Sequence, residues 1–202
     1  MTTKHISARI FAFICIANIL YYFTYNLIPV FWHINTCSML ILLGISTLTN
    51  LPFENKQKKA VIPGVVTGIA TYLAFMAGNW LLQWLFPLLH QQVVEVYQQL
   101  APRKWWHYIV LCAVFVPAEE FFWRGVIHGL LVKVFKPYTT VFVTAVLNGA
   151  ALIYSGYLIL PMAAFVSALI WGILYIKKKN IIGVITAHLI FDLLLLVFLP
   201  LH

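Results

Sequence analysis

The chain has 202 residues, of which 63% are hydrophobic and only 9% charged, with a formal net charge of +8; ordinary soluble domains carry roughly a quarter charged residues. With a mean hydropathy of +0.94, this composition excludes a soluble core and points to an all-α, polytopic transmembrane helix bundle, because the apolar runs leave no room for a separate soluble domain. Nucleic-acid binding is excluded as well, since no basic stripe interleaved with aromatics lies on a soluble face.

A bilayer crossing takes about 20 apolar residues, and the sequence predicts about seven crossings, near 8–28, 31–50, 61–87, 108–132, 138–156, 158–176 and 181–200. Lys4 and Arg9 precede the first, but no small-residue cleavage site follows it, so it is expected to remain as a span. The second opens on a polar joint, His33, Asn35 and Thr36, which also suits a re-entrant turn. Gly64 and Gly68 in the third form a GxxxG, expected to mean close helix packing rather than a dimer face. Between the third and fourth, "HQQVVEVYQQLAPRKWWH" (90–107) is polar and long enough for an interfacial helix, with Trp105 and Trp106 at the headgroup boundary. Cys15, Cys37 and Cys112 lie in or beside apolar segments with no metal-ligand spacing and are expected as buried free thiols. No internal repeat or low-complexity segment is evident.

The basic residues orient these spans. With the N-terminus inside, ten fall on the cytoplasmic side (Lys4, Arg9, Lys56, Lys58, Lys59, Lys133, Lys136, Lys177, Lys178 and Lys179) and only Arg103 and Lys104 on the other. That bias is the positive-inside rule, and it places the C-terminus outside. The short loops suit a bacterial inner (cytoplasmic) membrane.

The acidic residues carry the chemistry. Of five, Glu54 and Glu95 fall in loops, whereas Glu119, Glu120 and Asp192 fall inside spans. A carboxylate at mid-bilayer costs at least a few kcal/mol and is normally paired and functional. Glu120 and Arg124 are four apart and share a helix face, while Glu119 points about 100° away toward a different neighbour. In the last span His188 and Asp192 are one turn apart. At about 1.5 Å per residue, Asp192 and Glu120 each lie roughly 20 Å from the lysines at their cytoplasmic ends, and Arg124 and His188 each roughly 14 Å in. The matched depths predict that all five side chains meet between the fourth and seventh spans.

A carboxylate in low-dielectric surroundings can act as general base toward a water, and a histidine beside it can donate to a developing oxyanion. The set suits water-mediated cleavage of an amide in or at the membrane. A divalent metal is conceivable but not favoured, because only His188 is well placed among the histidines that zinc sites use. No other cofactor is expected. A proton-coupled transporter also uses buried Glu, Asp and His, but that reading predicts inverted repeats and broken helices, and only Pro117 offers a break.

"EEFFWRG", a further span, and then "WGILYIKKKNIIGVITAHLIFD" resemble the CPBP (CAAX protease and bacteriocin-processing) family of intramembrane proteases, which includes the type II CAAX prenyl endopeptidases. The resemblance covers roughly 105–198 and divides the chain into N-terminal spans with an interfacial loop (1–104) and a catalytic-type core (105–202). It implies an intramembrane endopeptidase acting on a membrane-embedded or membrane-associated peptide or protein. By this resemblance Glu119 takes the place of the water-activating base, Glu120 and Arg124 support it, and His188 with Asp192 serves the oxyanion or, in a metal-dependent version, ligates the ion. The family's second motif, an aromatic residue followed four positions later by histidine, falls on Asn148 and Leu152, and no histidine occurs from 129 to 187. Asn148 can orient a water, and His128 shares a face with Glu120 although roughly 12 Å along the axis; both are possible auxiliaries. The alternative reading is a non-catalytic member acting as a membrane scaffold, peptide-binding or bacteriocin-immunity protein.

Overall fold

A computed structural model of the chain describes residues 3–49 and 60–201, so Glu54, Lys56, Lys58 and Lys59 lie outside the described residues. The described residues form eight helices: α1 (Thr3–Asn26), α2 (Phe31–Leu48), α3 (Val61–Leu85), α4 (Pro87–Leu100), α5 (residues 105–131), α6 (Pro137–Ala151), α7 (Ile159–Lys178) and α8 (Ile181–Leu193). Six of them, α1, α2, α3, α6, α7 and α8, are long and apolar enough to cross a membrane. Helix α5 is the seventh crossing of a bundle of about seven, and it differs because it carries the buried charges.

The polar residues His33, Asn35 and Thr36 do not form the joint; they lie within α2, and the chain turns earlier, through a single 3-10 turn at Ile28–Val30. Pro29 explains the shift: it has no N–H to give to α1 and its fixed φ suits the start of a new helix. The Thr36 hydroxyl bonds back to the Trp32 carbonyl at 2.6 Å, which lets it remain inside the helix. The interfacial segment is helical only as far as Leu100, and α5 begins at Trp105. Cys15, Cys37 and Cys112 are free thiols, yet none is buried, and Cys37 is exposed; in a lipid-facing position an apolar thiol has no need of the protein core.

Two apolar clusters make the core. One joins α1, α2 and α5 through residues such as Ala17, Met39, Leu42 and Phe122; the other joins α3, α7 and α8 through Tyr72, Trp171, Val184 and Phe191. The glycines of α3 close the second cluster. A Cβ on Gly68 would lie 2.6 Å from the Ala187 carbonyl oxygen, and one on Gly64 would collide with that of Gly183. The GxxxG is therefore an intramolecular packing face against α8. Helices α7 and α8 meet through a tight turn in which Lys179 takes the left-handed conformation (φ 46°) and Asn180 caps α8, its side chain accepting from Ile182 N at 2.9 Å.

At its far end α8 continues as a π turn, Leu194–Phe198, and the chain is tied down by side chains from α3 and α4. Tyr72 donates to the Leu199 carbonyl at 2.9 Å, Asn79 to that of Leu201 at 2.7 Å, and Tyr97 to that of Leu195 at 2.7 Å. Burial pushes the Tyr97 hydroxyl up to about 12, so it keeps its proton and remains a donor at physiological pH.

Candidate active site

The two core clusters meet where α5 crosses α8, and the charges sit in that crossing. Helix α5 is not uniform. It is α-helical over Trp105–Val110, widens to a π turn over Leu111–Phe115, returns to α over Val116–Glu120, widens again over Phe121–Ile127 and closes at His128–Leu131. Pro117 stands between the two wide turns; lacking an N–H, it interrupts the regular ladder, and i→i+5 bonding takes up the interruption while the chain stays helical. The single α turn between them presents Glu119 and Glu120.

Glu120 is fully buried (0% exposed) and doubly held: Arg124 Nε lies 3.1 Å from Oε2, and His188 Nδ1 lies 2.7 Å from Oε1. Arg124 also reaches Oε1 through Nη1 at 3.2 Å and the Ala168 carbonyl on α7 through Nη2 at 3.5 Å. Facing an anion, His188 Nδ1 is the donor. The other ring nitrogen, Nε2, lies 3.4 Å from Asp192 Oδ2 and 4.0 Å from Glu119 Oε2. The structure thus brings Glu119, Glu120, Arg124, His188 and Asp192 into one cluster. Exposure separates the three carboxylates: 0% for Glu120, 14% for Asp192 and 26% for Glu119.

Two further residues belong to the site, and neither is marked in the sequence by charge. Tyr21, from α1, donates its hydroxyl to Glu119 Oε1 at 3.0 Å; it is the different neighbour toward which Glu119 turns. Trp171, from α7, stacks on the His188 ring with centroids 4.1 Å apart and carries the Arg124 guanidinium 5.6 Å from its ring centre. One indole thereby packs against both partners of Glu120, Arg124 and His188. A tryptophan opening the second half of the quoted stretch was the available signal for Trp171. One tyrosine among several in an apolar span offered none for Tyr21.

The two auxiliaries stand apart from this cluster. His128 is buried with its ring edge-on to Tyr175 at 5.2 Å, two turns beyond Glu120. Asn148 is buried on α6, and no hydrogen bond joins it to the cluster among the described residues. Leu152, expected from the resemblance to align with a histidine, is the residue that ends α6 and packs against the first apolar cluster.

The donor set is a poor match to a metal. Each nitrogen of His188 already faces a carboxylate, and the Arg124 cation lies against the carboxylate that a metal would need. Among the described residues, no three His, Cys, Asp or Glu side chains are arranged to hold an ion.

Beside the cluster lies an apolar cavity of about 570 Å³. Its walls include Tyr25, Phe115, Leu195 and Leu196, each about one turn from Tyr21, Glu119 or Asp192, and its few polar groups include Asn35, whose Oδ1 is buried without a partner.

Residues 101–194 match the family model of the type II CAAX prenyl endopeptidases, Rce1-like. The match begins just before α5 and ends just after Asp192, so it contains all five charged or titratable residues of the cluster and Trp171, but not Tyr21. No curated protein and no solved structure matches the chain.

Proposed function

We propose that this integral membrane protein, which over residues 101–194 belongs to the Rce1-like family of type II CAAX prenyl endopeptidases, hydrolyses a membrane-associated peptide or protein through a water activated by Glu119. One observation carries the reading. Arg124 and His188 Nδ1 are committed to Glu120, at 3.1 Å and 2.7 Å, while its neighbour Glu119 accepts a hydrogen bond only from a phenol, stands 4.0 Å from His188 Nε2 and is the most exposed of the three acids. A pure scaffold has no need of a second, more loosely held carboxylate at that depth.

In this reading Glu119 Oε2 takes a proton from water as the water oxygen bonds to the scissile carbonyl carbon. His188 Nε2, 4.0 Å from that oxygen, lies where it can donate to the oxyanion. Collapse of the tetrahedral intermediate breaks the C–N bond, and Glu119 returns its proton to the leaving amine nitrogen. Glu120 and Arg124 position His188, with Trp171 packed across it. The apolar cavity supports a substrate that arrives through the membrane and offers hydrophobic side chains or a lipid group to the wall formed by Phe115, Leu195 and Leu196.

Purified protein in detergent, incubated with single-span membrane peptides, is expected to cleave them, and Glu119→Gln is expected to lower kcat by at least about a hundredfold. Chelators are expected to leave cleavage intact. Stoichiometric zinc, lost together with activity, would replace the glutamate-activated water by a metal-bound one. Leu152, standing where the family pattern has histidine, favours the second reading, a non-catalytic scaffold or immunity protein. Equal behaviour of wild type and Glu119→Gln across the peptide set would select it.

A further inference from the structure

We infer that Tyr21 is the positioning residue for Glu119, so that the first span, outside the family-matched region, completes the active site. The inference rests on the reading of Glu119 as base, but its geometry does not. Tyr21 is 2% exposed, and its hydroxyl lies 3.0 Å from Glu119 Oε1. Among the described residues, no other side-chain hydrogen bond to Glu119 is present. Arg124 and His188 Nδ1 are turned to Glu120, and the residues that follow on α5 are Phe121, Phe122 and Trp123.

The phenol is aimed by a chain of rings. Tyr21 stacks with Tyr25 (6.3 Å, 13°), Tyr25 leans on Phe31 (5.6 Å), Phe31 meets Trp32 edge-on (5.9 Å), and Trp32 stacks on Phe115 (5.3 Å, 16°). Phe115 is one turn before Glu119, so the stack begins and ends at the same stretch of α5. A tyrosine that needed only to satisfy its hydroxyl would find a backbone carbonyl, as Tyr72 and Tyr97 do. Tyr21 instead meets Glu119, the acid that Arg124 does not reach and that His188 approaches only to 4.0 Å.

With Oε1 engaged by the phenol, Oε2 is the oxygen left on the His188 side, 4.0 Å from Nε2. The hydroxyl therefore decides which lone pair meets the water. A phenol at this distance orients the carboxylate but does not relay its proton, so Glu119 both accepts and returns it. Tyr21 acts on the reaction through Glu119.

Tyr21→Phe retains the ring stack and removes one oxygen, so folding is preserved. The test is infrared difference spectroscopy of the full chain in detergent, with the Glu119 carboxyl stretching bands assigned by their loss in Glu119→Gln. Tyr21→Phe is expected to shift those bands, whereas Tyr22→Phe, on the outward face of α1, leaves them in place. On any cleaved single-span peptide, Tyr21→Phe is expected to lower kcat about tenfold at unchanged KM, the size of one hydrogen bond made to a charged group. Glu119 bands that ignore Tyr21→Phe would overturn the inference, and so would a loss confined to KM. If the bands shift but Glu119→Gln cleaves as well as wild type, the Tyr21–Glu119 coupling stands and the endopeptidase reading falls.

Discussion

Glu120 has its two oxygens within 3.1 Å of Arg124 and 2.7 Å of His188 and no contact with solvent, so its charge is compensated entirely by side chains. Withdrawing one partner from such a group leaves an unpaired charge in a low-dielectric interior, at about 3–5 kcal/mol. Arg124→Met should therefore lower the unfolding midpoint in detergent sharply, and adding Glu120→Gln should recover part of the loss. A single variant as stable as wild type would show the pair to be dispensable. Glu119 differs from Glu120 by one position and by everything else. It is partly exposed, accepts a hydrogen bond from the Tyr21 hydroxyl and stands 4.0 Å from His188 Nε2, a looser setting than that of Glu120.

At the scale of the helices, two devices place the site. The π turns on either side of Val116–Glu120 let α5 pass a proline and present both glutamates without a break. The glycine face of α3 lets α8 approach closely, and α8 is the helix that carries His188 and Asp192. A methyl group at position 68 meets backbone, which cannot step aside. Gly68→Ala is thus expected to cost about 1–3 kcal/mol, measured by denaturation in detergent. Gly44→Ala, where an added Cβ meets nothing within 4 Å, should be neutral or slightly stabilising. Equal stability of the two variants would remove the α3–α8 contact from the account.

The whole bundle assembles the cluster from four helices, α1, α5, α7 and α8, that are far apart in sequence, and charge gives an expected orientation in the bilayer. Arg9, Lys133, Lys136, Lys177, Lys178 and Lys179 lie at helix ends that alternating spans would put on one side, which the positive-inside rule predicts to be cytoplasmic. In a variant lacking the native cysteines, Lys178→Cys should react with a membrane-impermeant thiol reagent only after the cytoplasmic face is opened. Labelling from the outer face of intact cells would invert the topology.

Much of this was legible in the sequence because its causes are local. Apolar runs of bilayer length define the spans. A carboxylate costs the same at mid-bilayer wherever the chain goes next, which is why Glu119, Glu120 and Asp192 stood out, and the four-residue spacings of Glu120–Arg124 and His188–Asp192 needed only the helical repeat. The spans 8–28 and 31–50 put the break before α2 where it lies, but the re-entrant turn that His33, Asn35 and Thr36 suggested does not form, because the Thr36 hydroxyl bonds back to the Trp32 carbonyl and stays inside the helix. Tertiary structure alone decided which glutamate took the cations. The sequence places Glu119 and Glu120 side by side, but the choice depends on where His188 lands when Gly64 and Gly68 admit α8. It also depends on a neutral phenol and an indole, Tyr21 and Trp171, arriving from helices that no charge pattern connects to the site. Neutral groups leave no trace in hydropathy or charge spacing; they become part of the site only through the distances at which packing holds them.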